Sequence, residues 1–147
     1  MGLVHKIGGR QMSGPDDIQV KDVLVTSAQL LAYTTTPVSL IAAPGANKAI
    51  VLEQVIGKMN GGTVAYTANN VAEIRYTDGS GALMCGNLPF TAFLNANSST
   101  AYYRSNPADA IPVANAAVVI RSAANQTAGN GTLKLRLFFR VINFAGM

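Results

Sequence analysis

This 147-residue sequence is poor in the groups that carry chemistry. It has one cysteine (Cys85), one histidine (His5) and no tryptophan, and only 12% of its residues are charged, about half the usual share. A lone cysteine excludes an internal disulfide framework. It reads as a small buried hydrophobe in a chain made in a reducing compartment. One His and one Cys, far apart in the chain, give zinc no ligand set. Asp16, Asp17 and Asp22 lack the spacing of a calcium-binding loop. No run approaches 18 consecutive apolar residues, so no spanning helix is expected. The opening MGLVHKIGGR lacks the apolar stretch of a signal peptide. Its Met1-Gly2 start fails as a myristoylation motif because position 6 is Lys6. The expectation is a soluble protein made in the cytoplasm, with no cofactor, no metal and no membrane contact.

Eleven basic against seven acidic residues give a formal charge of +4. The cations are spread from Lys6 to Arg140 without a run. A nucleic-acid binder shows a clustered basic stripe with aromatics between, so nucleic acid is not the expected partner. Low charge with 14 glycines and many Ala, Asn, Thr and Ser excludes a coiled coil and a charge-driven disordered chain. Lone soluble monomers carry more charge than this to stay apart. Companion chains are therefore expected to cover much of the surface.

Catalytic constellations are equally thin. Glu53 and Glu73 could form a glycosidase couple, or they could pair with Arg75, Lys58 or Arg121 across strands, which is the commoner arrangement. Gly45-Ala46-Asn47-Lys48 lacks the Gly-Lys-Ser/Thr of a phosphate loop. Gly79-Ser80-Gly81 lacks the partners of a nucleophile elbow. Tyr66, Tyr76, Tyr102, Tyr103 and Phe90 could build a stacking platform for sugars or bases, although strand aromatics more often serve a core or an interface. The chain is not expected to be an enzyme.

Residues 1–19 differ from the rest: Gly2, Gly8, Gly9, Gly14 and Pro15 interrupt them and no period is visible. They are expected to form a flexible N-terminal arm, disordered alone or ordered on a neighbour, with residues 20–147 as the folded domain. Short apolar runs follow, separated by turn residues. Strands are expected at 20–26 and 38–42, with one helical turn over 27–31 capped by Ser27. Pro44-Gly45 suits a type II turn. The β-branched run 48–59 reads as a central strand covered on both sides. Strict alternation puts Ile50, Leu52 and Ile56 on one face with Gln54, and Ala49, Val51 and Val55 on the other with Glu53. Further strands are expected at 64–67 and 71–77, the latter with Ala72, Ile74 and Tyr76 inward. Residues 82–112, broken by Pro89, Pro107 and Pro112, allow one or two short strands joined by long loops. A strand is expected at 116–121. In 132–142 (TLKLRLFFRVI), Leu133, Leu135, Leu137, Phe139 and Val141 alternate with outward Lys134, Arg136 and Arg140, a period of two. Seven to nine such strands without a helical pattern imply an all-β antiparallel β-sandwich or barrel; the long connections fit a jelly-roll sandwich better than a meander, with an immunoglobulin-like Greek-key sandwich as the alternative.

The segment Pro37-Val38-Ser39-Leu40-Ile41-Ala42-Ala43-Pro44-Gly45-Ala46-Asn47-Lys48-Ala49-Ile50-Val51-Leu52, then Gly61-Gly62-Thr63-Val64-Ala65-Tyr66-Thr67, Ile74-Arg75-Tyr76 and the closing Leu-rich strand, resembles small structural proteins of tailed bacteriophages. In particular it resembles their jelly-roll capsid decoration or cement proteins. The resemblance implies a homotrimer bound to the major capsid protein on the outer surface of a virion, clamping neighbouring capsid subunits. It also implies synthesis in the host cytoplasm. Position and composition single out Lys6, Arg10 and Met12 in the arm, and Tyr102 and Tyr103 in the body, as capsid contacts. The alternative is another virion component, a tail or head-fibre module whose Tyr102, Tyr103 and Asn-rich loops bind a host glycan.

Overall fold

The computed structural model describes residues 17–67, 70–97, 99–107 and 110–145. Most of the segment expected as an arm, including Lys6, Arg10 and Met12, lies outside them. Seven strands and one short helix follow in order: β1 (Gln19–Val25), α1 (Ser27–Ala32), β2 (Val38–Ile41), β3 (Lys48–Asn60), β4 (Glu73–Tyr76), β5 (Thr100–Ser105), β6 (Val118–Arg121) and β7 (Thr132–Asn143). They form two antiparallel sheets, one of four strands in the order β1-β7-β3-β5 and one of three in the order β2-β6-β4. Side chains from both sheets merge in one apolar core, so the chain is the all-β sandwich that its alternation implied.

The alternation of β7 is realised directly. Leu133, Leu135, Leu137 and Phe139 are buried while Lys134 and Arg136 are exposed. At about 25 cal/mol per Å² of apolar surface removed from water, such a row is a principal source of sheet stability. β4 likewise buries Ile74 and Tyr76, and Ala72 just before it is buried on the same side. β3 departs from strict alternation. Its register against β7 shifts between Leu52 and Gln54, a β-bulge that leaves Glu53 as the extra residue. Beyond the bulge the faces exchange. Val55, Gly57 and Met59 join Ile50 and Leu52 on the core side, opposite Leu137, Leu135 and Leu133, while Gln54, Ile56 and Lys58 turn outward. Unbroken alternation therefore misassigned Val55 and Ile56. β3 is central between β7 and β5, but its outward side chains are only half-buried, so the described residues cover one side alone.

Gly57 has a packing reason. A Cβ built there would lie 2.7 Å from Cζ of the buried Phe93, so the missing side chain makes room for that ring. Phe93 sits in an irregular turn, Phe90–Leu94, where Ala92 adopts φ 61°.

Three local expectations need correction. The helix cap is Thr26, one residue before Ser27. The Gln29 amide donates to Thr26 Oγ1 at 3.3 Å and the Thr26 amide donates to Gln29 Oε1 at 2.9 Å, a capping box. Residues 64–67 form no strand. Their backbone bonds go to the 127–130 loop instead: Thr67 N–H to the Thr127 carbonyl at 3.1 Å, and Asn130 N–H to the Val64 carbonyl at 3.2 Å. Val64 is left 48% exposed. Finally, three of the aromatics considered for a stacking platform are core. Tyr66 hydroxyl donates to the Gly131 carbonyl at 2.7 Å, Tyr76 hydroxyl donates to the Ile50 carbonyl at 2.5 Å, and Phe90 is buried. In Pro44-Gly45 the glycine takes φ +100°, as the expected turn requires.

Replacing the fully buried Leu135 by alanine is expected to cost about 2–5 kcal/mol, read as a lower urea midpoint with an unchanged denaturant slope.

Candidate functional site

The two carboxylates weighed as a catalytic couple do not meet. Glu53 lies on the outward face of β3, in the four-stranded sheet, and pairs with Arg140 on β7 (Nε to Oε1 3.0 Å). Glu73 lies on β4, in the three-stranded sheet, and pairs with Arg75 at 2.9 Å. Two outward carboxylates on opposite sheets cannot flank one scissile bond. Among the described residues, no group of three or more His, Cys, Asp or Glu could hold a metal ion. Cys85 is fully buried. Burial pushes its thiol up to about 11, against a smaller opposing contribution from a hydrogen bond with Ser105. The thiolate that a nucleophile needs is therefore suppressed at neutral pH.

Charge and exposed apolar surface do converge on the outer face of the four-stranded sheet. Register aligns Leu24, Lys134, Lys58 and Tyr102 in one row across β1, β7, β3 and β5. The next row is Asp22, Arg136, Ile56 and Arg104. With Arg140 and Glu53, the described part of this face carries five cations and two carboxylates. Arg104 comes from β5, and the other four cations arrive by two routes. β7 alternates a basic residue outward at 134, 136 and 140, and the bulge in β3 swings Lys58 to the same side.

A shallow cleft of about 210 Å³ is lined by Asp22, Ile56, Lys58, Tyr102, Lys134 and Arg136. Its floor is rigid. Arg136 grips Asp22 with two bonds, Nε to Oδ1 at 2.7 Å and Nη2 to Oδ2 at 2.8 Å. Lys134 Nζ stands 3.8 Å from the same carboxylate. The Arg136 hydrogen bond, helped by the Arg136 and Lys134 charges, outweighs desolvation and holds the Asp22 carboxyl below its ordinary value. The Arg136 guanidinium is raised in turn. Lys58 Nζ lies 5.9 Å from the centre of the Tyr102 ring, within cation–π range. Arg104, beside them, donates to the Gln54 side-chain oxygen.

Tyr102 is 69% exposed, a large amphipathic side chain held upright by its strand. Tyr103, one residue on, points to the other side of β5, where it is half-buried with its ring centre 5.7 Å from that of Phe93. The structure therefore separates the two tyrosines singled out from the sequence, because neighbours on a strand face opposite ways. Lys58, Ile56, Asp22 and Arg104 were not anticipated. The outward alternation of β7 signalled the cationic face, but the bulge hid which half of β3 joined it.

Over this frame the chain is similar in fold to a chain of the cyanophage Pam1 capsid asymmetric unit, at 14% identity and a TM-score of 0.51, covering 92% of this chain and 91% of that one. Two other chains superpose too loosely to count as the same fold. One is from the capsid of Ralstonia phage GP4 (18% identity, 90% and 92% covered, TM-score 0.44). The other is from Bacillus endospore appendages, described as a family of disulfide-linked pili (16%, 95% and 98%, 0.36). No family model and no curated protein matches the sequence.

Because the folded value of Asp22 is depressed, its pair with Arg136 contributes stability above the ordinary aspartate range, about pH 4. That contribution is lost as pH falls through the folded value. An NMR carboxyl titration is expected to find Asp22 below an ordinary aspartate, and Arg136→Gln to return it upward. Iodoacetamide at pH 8 is expected to leave Cys85 unmodified in the folded chain and to alkylate it in concentrated urea.

Proposed function

We propose that this chain is a non-enzymatic structural protein of a bacteriophage virion. In this reading it decorates the outside of an icosahedral shell and stabilises it by binding across neighbouring major capsid subunits. The observation that carries the proposal is the fold shared with a chain of the Pam1 capsid asymmetric unit over 92% of this one. The strand order adds support for the jelly-roll form of that fold. β1-β7-β3-β5 against β2-β6-β4 is the arrangement of two interleaved Greek keys with one outer strand reduced. The reduced strand is residues 82–88, which meet β4 and its preceding residue only through bridges at Leu83 and Leu88.

A decoration protein needs affinity and no chemistry, and the described surface offers that combination. Tyr102 is the kind of aromatic that anchors interfaces, and Lys58 and Arg104 beside it favour an acidic partner surface. Binding only the assembled shell would stabilise it by mass action, and a trimer would multiply the effect through linked contacts. In this reading the exposed edge of the half-buried Tyr103 adds to the contact, as do Lys6, Arg10 and Met12 from the N-terminal segment.

The test is made on particles purified from the host that carries the gene. Mass spectrometry is expected to find the chain in repeating stoichiometry with the major shell protein. Particles made with Tyr102→Ala and Lys58→Glu together are expected to retain at least tenfold less of it. Purified particles devoid of the chain would overturn the proposal.

A further inference from the structure

β1 leaves the sandwich as it is followed back toward its start. Val25 is fully buried and Val23 packs against the core, but Gln19, Val20, Lys21 and Asp22 are all exposed, so the smaller sheet does not reach over them. β1 is also an edge strand. Its seven residues pair with β7 without a shift in register, and among the described residues no strand lies beyond it. Every second residue of an antiparallel edge turns its N–H and C=O away from the sheet, so β1 presents a row of unused donors and acceptors. The other edges are shorter or interrupted. β2 has four residues and a break in register between Ser39 and Ile41. β4 has four, and Leu83 bridges Arg75 on its far side. β5 has six and is tied at its end, where the Ser105 hydroxyl donates to the Gly86 carbonyl at 2.6 Å.

The side chains of β1 say what can join it. On the outer side Val20 and Leu24, both exposed, flank Asp22, whose charge Arg136 and Lys134 already answer. On the inner side lie Gln19 and Lys21. Beside Gln19 a cleft is lined by Pro44, Val141, Asn143 and the exposed Lys48. Neither Lys21 nor Lys48 has an ion pair among the described residues, while Asp17, ahead of the strand, has an interaction of its own. A strand laid on this edge therefore finds apolar neighbours on one side and uncompensated positive charge on the other. A copy of this chain continuing the sheet there, with its inner face on the same side, would add its own Lys21, and like charges opposed across strands are destabilising. Residues 1–15 carry Lys6 and Arg10 and no acid, so they do not supply the missing charge either. We propose that the open edge of β1 receives an extended segment of an unlike chain as a fifth strand of the larger sheet. Its apolar side chains lie beside Val20 and Leu24, and an acidic one lies beside Lys21. Main-chain bonds supply the affinity, and the alternate side chains supply the selectivity. The inference goes beyond the virion reading: it assigns a second surface, apart from Tyr102, and holds or fails without that reading.

NMR on the full chain tests it. In the free protein every second amide of β1 is expected to exchange with solvent far faster than its neighbours. A synthetic peptide of alternating valine and glutamate is expected to shift the signals of Gln19–Val25 and to slow that exchange. The same peptide with lysine in place of glutamate is expected to bind about tenfold more weakly. Lys21→Glu is expected to remove that preference; the residue is exposed, so the fold should survive, checked by circular dichroism. Uniformly protected β1 amides in the free chain would show the edge already covered, by the chain itself or by a second copy, and would overturn the inference. So would shifts centred on Tyr102 and Arg104 instead of β1, no shifts at all, or a preference that Lys21→Glu leaves unchanged. Peptide binding at β1 by a chain that purified particles lack would leave this inference standing and sink the virion role.

Discussion

The antiparallel ladder between β3 and β7 is the constraint on which the molecule depends. Twelve residue pairs join these two strands through the middle of the larger sheet. β1 is added to the free side of β7, and β5 to the free side of β3. The apolar row of β7 forms the floor of the core, and the smaller sheet closes over it. One contact ties the two layers with a polar bond inside an apolar interior. Tyr76 on β4 donates to the Ile50 carbonyl on β3, so a buried hydroxyl is satisfied where an unpaired one would be costly. The same ladder arranges the outer surface, because every leucine pointing in leaves a neighbour pointing out, and on β7 three of those neighbours are cationic.

Much of this was legible in the residues. The period of two over 132–142, the turn at Pro44-Gly45, and the inward set Ala72, Ile74 and Tyr76 state strand and face directly, because burial of one face demands that pattern. Three things were not legible. A bulge adds no residue type of its own, so Glu53 in a β-branched run gave no sign that the faces exchange after it. A polar loop can outcompete a neighbouring strand for hydrogen bonds. Val64–Thr67 reads as strand until Asn130 and Thr127 offer partners. Side chains from distant segments also meet only after folding: Asp22 and Arg136 are far apart in the chain yet form a two-bond grip. The candidate site was accordingly half visible. Tyr102 and the β7 cations were in view; Lys58, Asp22 and Arg104 were not.

The sparse charge is placed unevenly. Cations gather on the outer face of the four-stranded sheet around one exposed tyrosine. An acidic surface meets that face favourably, and a cationic copy of the same chain is steered from it. Among the described residues, Asp22, Glu53 and Glu73 are each held by an arginine.

The bulge at Glu53 also leaves the central strand one residue that its pairing does not count. Leu52 and Gln54 already face consecutive residues of β7, Phe139 and Phe138. Deleting Glu53 would join them in an uninterrupted pleat, with Val55, Gly57 and Met59 still inward and only the ion pair to Arg140 lost. Losing a paired residue between Val55 and Met59 would instead turn the end of the strand over unless the bulge were absorbed to restore the count. The strand therefore carries its own one-residue allowance in length, placed at Glu53.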